Sequence, residues 1–164
     1  MSNICENFKQ IIVNNLEDIK NLKNKTIQKS DNSFVSEGDL LVQKLIGDEI
    51  KKKYNNYFFI SEENDHKEKW KKYNDFIVLD PIDGTDNFIS GMKEWGVGIS
   101  IFKDKEHTES MIFLPDMNIT LKSGDKISKN KSRIIGMSSR YFKKGLTPCD
   151  NNFEYRALGC SMIN

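Results

Sequence analysis

Residues 76–79, Phe-Ile-Val-Leu, form an unbroken apolar run that ends at Asp80-Pro81. A strand with one wet face alternates apolar and polar residues. A run without alternation is the pattern of a strand covered on both faces, so it requires layers of structure above and below it. Proline directly after Asp80 predicts that the ladder is interrupted there. The N-terminal part supplies candidate layers. Phe8, Ile11, Ile12, Leu16, Ile19 and Leu22 recur at three- and four-residue steps and predict one amphipathic helix over roughly the first two dozen residues. Ser36-Glu37-Gly38-Asp39 has the Ser-x-x-Asp form of a helix start, and Leu41, Val42, Leu45, Ile46 and Ile50 give the apolar face of a second helix ending near Lys53. Residues 24–34 between them read as a loop.

The remainder is strand-rich. Tyr57 to Ser61 is a short β-prone run ending at Glu62 and Glu63, and the polar stretch 64–75 reads as a surface connection. Trp95, Val97, Ile99 and Ile101 alternate with smaller or polar residues as a strand does, and residues 111–115, 119–123 and 133–139 predict three more. Helices followed by a strand-rich body indicate a layered α/β or α+β domain.

Composition narrows the class. With 164 residues, 37% of them hydrophobic, the chain can bury one sizeable core. Its 25 basic and 24 acidic residues leave a net charge of +1, which offers no bulk reason to expect nucleic acid or a membrane surface as partner. No apolar run approaches the ~20 residues of a membrane helix. The first turns carry acidic and amide groups, unlike a signal peptide. Cys5, Cys149 and Cys160 lack zinc-like spacing and fit reduced thiols, so the expected location is cytoplasmic. Lys51 to Lys53 and the basic 67–72 stretch read as solvated faces, as do His66 and His107 in polar connections.

Chemistry concentrates after the apolar run, in Asp80-Pro81-Ile82-Asp83-Gly84-Thr85-Asp86. Asp80 closes a buried strand and Asp83 follows past the proline, so both can face the crevice at the carboxyl end of a sheet. If the strand ending at Glu62 and Glu63 is a neighbour, all four carboxylates converge, and such a cluster needs a cation. Oxygen donors without histidine favour Mg²⁺ over zinc. Gly84-Thr85 opens a short helix, whose free N–H groups suit an anion. Turn chemistry uses the same residue types, with Thr85 as a cap and Glu62-Glu63 as a wet loop, so spacing alone leaves both readings standing.

Residues 79–88, LDPIDGTDNF, resemble the Asp-Pro-Ile-Asp-Gly-Thr signature of the inositol monophosphatase family of lithium-sensitive, Mg²⁺-dependent phosphatases. Four further segments resemble that family in order: 34–46, 58–64 with its Glu-Glu pair, 91–102, and 155–164 as an Arg-x-x-Gly-Ser segment that begins a later helix. The resemblance implies an α/β fold of the α+β layered, sugar-phosphatase-like type, with N-terminal helices on a mixed, largely antiparallel sheet. Residues 1–132 would form a metal- and phosphate-site domain, and 133–164 the start of an incomplete second subdomain.

It implies a Mg²⁺-dependent hydrolase of a small sugar, inositol or nucleotide phosphate. Glu62, Asp80, Asp83 and the Ile82 carbonyl would hold metal, with Glu63 behind them. Thr85 and Glu62 would activate water, and Asp39 would orient the Thr85 hydroxyl while also serving as a helix cap. Phosphate would rest on the N–H groups of Gly84 and Thr85, and Gly159, Cys160 and Ser161 would lie on the substrate side. A homodimer is implied by the resemblance alone. The 87–102 stretch is more similar to the inositol monophosphatase branch than to the nucleotidase branch.

Asp86 reads as exposed on the first helical turn, with metal contact as the alternative, and Arg140, Lys143 and Lys144 read as a solvated loop or a lid. The family's downstream Trp-Asp pair has no counterpart, since Trp70 precedes Lys71 and Trp95 precedes Gly96. Three readings therefore compete: a fragment of a phosphatase, a truncated homologue that binds Mg²⁺ and phosphate without turnover, or a chain completed by another polypeptide.

Overall fold

The computed structural model describes residues 4–30, 32–64, 69–128, 131–137 and 152–163. His66, Arg140, Lys143, Lys144 and Cys149 lie outside these residues. The N-terminal apolar stripe forms two helices, α1 (Ile4–Asn14) and α2 (Leu16–Asn21), in place of the single expected helix. Asn15 divides them. Its side-chain amide donates to the Ile11 carbonyl at 2.8 Å, and its backbone N–H turns instead to Ile12 at 3.1 Å. An asparagine amide that takes a carbonyl from the helix ladder offers the backbone a way out.

Residues 24–34, expected as a loop, contribute to a small hairpin of β1 (Thr26–Gln28) and β2 (Phe34–Ser36), with Ile27 opposite Val35. β1 is exposed along its length, so it carries no burial pattern from which it could be read. The helix α3 (Glu37–Lys53) begins at Ser36 with a complete capping box, as its sequence predicts.

The main sheet has five strands in the order β3 (Phe58–Ser61), β4 (Phe76–Asp83), β5 (Gly96–Lys103), β6 (Glu106–Leu114) and β7 (Ile119–Lys122). β3 and β4 are parallel and the other pairs antiparallel, which is the mixed, largely antiparallel sheet expected. Pro81 interrupts the β4 ladder, as expected. The strand continues to Asp83 across a register shift between Asp80 and Asp83, where a bulge accommodates the missing N–H. A separate parallel pair joins β8 (Ile134–Met137) to β9 (Glu154–Ala157), and residues 161–163 form a turn where a helix was expected to begin.

Period two divides β4 between the sheet faces. Ile77 and Leu79 join Val97, Ile99, Ile101, Met111 and Phe113 in a core closed by Phe8 and Ile12 of α1, Ile19 of α2, and Val42, Ile46 and Ile50 of α3. The alternate positions Phe76, Val78 and Asp80 lie on the opposite face, where Phe76 stacks on Phe102 at 4.6 Å. Asp80 is thus held on a rigid central strand, away from the helices. Ile46 is fully buried, so Ile46→Ala should cost roughly 2–4 kcal/mol in urea unfolding with an unchanged slope.

Candidate active site

The parallel pairing of β3 with β4 sets Ser61 opposite Leu79, and the Glu62 N–H extends that ladder by donating to the Leu79 carbonyl at 3.2 Å. Glu62 and Asp80 therefore emerge side by side at the carboxyl ends of two neighbouring strands, close enough for each carboxyl group to act on the other. Asp80 Oδ1 is buried with no partner among the described residues. Burial, then the charges of Glu62 and Asp83, hold the Asp80 carboxyl far above the usual carboxylate range. A cation beside these groups would reverse that preference.

Beyond the bulge, Gly84 adopts φ +83°, and α4 (Thr85–Ile89) follows. A side chain at Gly84 would be strained there, and its Cβ would fall 2.9 Å from the Cβ of Cys160. The Thr85 hydroxyl lies 3.0 Å from the Ile82 carbonyl and 3.3 Å from Asp39 Oδ1. Asp39 Oδ2 is engaged separately, accepting from the Ser36 N–H at 2.8 Å and the Ser36 hydroxyl at 2.5 Å. One carboxylate thus caps α3 with one oxygen and faces Thr85 with the other. It is almost fully buried, and burial raises its pKa against the lowering effect of the Ser36 and Thr85 hydrogen bonds.

Glu62, Gly84, Thr85, Asp86 and Gly159 line one open cleft of about 210 Å³ together with Lys29. Lys29 had no signal in the sequence, where it is one lysine in a polar stretch; the β1–β2 hairpin carries it to the site. Its ammonium pairs with Glu63 at 2.7 Å. Burial alone would lower the Lys29 pKa, but the hydrogen bond to Glu63 and the charges of Glu63, Glu62 and Asp39 raise it. Asp86 is exposed, as expected, yet shares the cleft with Glu62.

Asp83 faces the C-terminal segment. Its Oδ2 accepts from the Met162 N–H at 2.6 Å, the Ser161 hydroxyl at 2.9 Å and the Cys160 thiol at 3.1 Å. Burial, with the Asp83 hydrogen bond and charge, pushes the Cys160 thiol up to about 12. The expected convergence of all four carboxylates therefore does not occur. Glu63 is drawn to Lys29 and Asp83 to the 160–162 donors, which leaves Glu62 and Asp80 facing each other. Among the described residues, no three His, Cys, Asp or Glu side chains group closely enough to hold a metal ion. What does fit a hard cation in chemistry is the set of oxygen donors at Glu62, Asp80 and the Ile82 carbonyl, above all the buried Asp80 oxygen that lacks a partner among the described residues.

A second residue missed in the sequence is Asn87, buried in α4, whose amide reaches the backbone on two sides of the site.

The fold has known counterparts. The chain is 27% identical over 145 residues to the Nus factor SuhB of Xylella fastidiosa, covering 82% of this chain and 50% of that protein. It thus spans about half the length of the curated relatives it matches. The structure matches that of the Thermotoga maritima IMPase with a TM-score of 0.78 at 20% identity, covering 99% of this chain and 70% of the other. An IMPase/NADP phosphatase complexed with Mg²⁺ and phosphate matches with a TM-score of 0.68 at 18% identity, over 94% of this chain and 68% of that one. These likenesses show a shared fold. The model of the inositol monophosphatase family matches residues 2–144, and the chain belongs to that family.

Proposed function

We propose that this chain is a Mg²⁺-dependent phosphate monoester hydrolase acting on a small sugar, inositol or nucleotide phosphate through a metal-activated water. The observation that carries this reading is the buried oxygen of Asp80, without a partner among the described residues, next to Glu62, which itself lines the cleft that also holds Thr85. Mg²⁺ held by Glu62, Asp80 and the Ile82 carbonyl, with Asp83 recruited from the 160–162 segment, would supply charge neutralisation and an acidified water. Glu62 would take the proton of the attacking water. Thr85, whose hydroxyl is braced by the Ile82 carbonyl and by Asp39, would align that water with phosphorus, and the N–H groups of Gly84 and Thr85 would hold the phosphate oxygens. Gly159, Cys160 and Ser161 would face the alcohol portion.

The division at residues 132 and 133 belongs to the same reading, supported by the separate β8–β9 ladder, and so does a homodimer. Among the described residues no helix is long and apolar enough to cross a membrane.

The test is phosphate release by the purified chain from a panel of sugar, inositol and nucleotide phosphates. Release from at least one ester with Mg²⁺, and none with chelator, is expected. A second reading, a chain that binds Mg²⁺ and phosphate without turnover, is favoured by the commitment of Asp83 to residues 160–162. Calorimetric Mg²⁺ binding without release from any ester would select it.

A further inference from the structure

The Asn87 side chain has a demanding environment. It is 7% exposed, and its two amide hydrogens go to two different carbonyls, Glu94 and Leu158, each at 2.6 Å. Among side chains of this size, only a primary amide provides two donors in that fork; aspartate would set a carboxylate oxygen against two carbonyl oxygens. The amide oxygen faces Gly159. A Cβ added there would lie 2.7 Å from Asn87 Oδ1, and Gly159 has φ +71°, so the backbone passes where only glycine fits.

From that point the chain runs directly onto the site. Cys160 packs over Gly84, and Cys160, Ser161 and Met162 all donate to Asp83. Asp83, Gly84 and Asn87 thus hold the 158–162 segment at three successive points, and Asn87 is the anchor that sets its register.

We propose that Asn87 is a positioning residue, one that docks the Leu158–Met162 segment on Asp83 and so governs how that carboxylate is presented to the cleft and how tightly Mg²⁺ binds there. Its effect on metal rests on the phosphatase reading; its effect on the segment does not. Without the amide fork, the Leu158 carbonyl loses its hydrogen bond to α4, and the donors to Asp83 lose the anchor that sets their register.

The experiment is amide hydrogen exchange on the metal-free chain, comparing the 158–163 peptide with β5 amides Val97 to Ile101 as an internal measure of global opening. In Asn87→Asp, exchange at 158–163 should rise about tenfold or more, while β5 stays protected. Gly159→Ala attacks the same contact from the exposed side and should do likewise, which keeps the test decisive if Asn87→Asp does not fold. Calorimetry with Mg²⁺ alone should show affinity about tenfold weaker in both variants.

Unchanged protection at 158–163 in the folded variants, or loss in step with β5, overturns the assignment. If the unaltered chain binds no Mg²⁺, the metal reading and the proposed effect on affinity fall together, and the metal-free exchange result alone decides whether Asn87 positions the segment.

Discussion

Glu62→Gln lowers Mg²⁺-dependent phosphate release by roughly 10²–10⁴-fold, the span expected on losing a positioned general base. Glu62 is exposed in the turn after β3, and the ladder contact it makes comes from its backbone N–H, so the substitution removes charge and leaves the pairing with Leu79 in place. Circular dichroism of the metal-free variant should therefore match that of the unaltered chain, and its thermal midpoint should be no lower, since a charge that opposes ionisation of Asp80 is gone. The same variant should lose most of its calorimetric Mg²⁺ signal, because one of two adjoining carboxylates no longer carries charge. Retention of more than a tenth of the activity would remove Glu62 from the proposed mechanism.

Asp80→Asn should stabilise the metal-free protein even as it removes metal binding. The Asp80 carboxyl is raised to about 8 by burial first, then by the charges of Glu62 and Asp83. An unfolded aspartate loses its proton near pH 4. Between those two values the folded chain holds a proton that the unfolded chain has released. The folded state binds more protons in that window, so stability falls as pH rises through it and levels off above. Without Mg²⁺, the unfolding free energy should decline from pH 5 to pH 8. Asp80→Asn should flatten the decline and gain roughly 2–4 kcal/mol at pH 8. Saturating Mg²⁺ should restore stability at pH 8 to the unaltered chain and not to the variant. Parallel pH curves for the two proteins would show that Asp80 carries no such cost.

Much of the fold was legible because its signals are local. The capping box at Ser36 and Asp39 lies within four residues, and the alternation from Trp95 to Ile101 announces β5 by itself. The misses share a cause. Asn15 splits the first helix by a side-chain hydrogen bond that competes with a continuous apolar stripe, and periodicity does not register it. β1 has three exposed residues and exists only because β2 pairs with it. Pro81 interrupts the β4 ladder as expected, but the strand resumes at Asp83 across a bulge that the neighbouring strand holds in place.

The site divides in the same way. The sequence alone determined the chemistry available: a rigid strand delivering Asp80, Asp83 three residues on, a glycine turn at Gly84, and oxygen donors without histidine, since these follow from residue type and spacing of a few positions. The tertiary structure decided which of those groups meet. It set Glu62 against Asp80 through the parallel β3–β4 register, turned Glu63 to Lys29, and gave Asp83 to a segment nearly 80 residues away. The physical reason is that a carboxylate goes to the nearest adequate donor in space, and proximity in space between distant segments is set by packing of the whole chain.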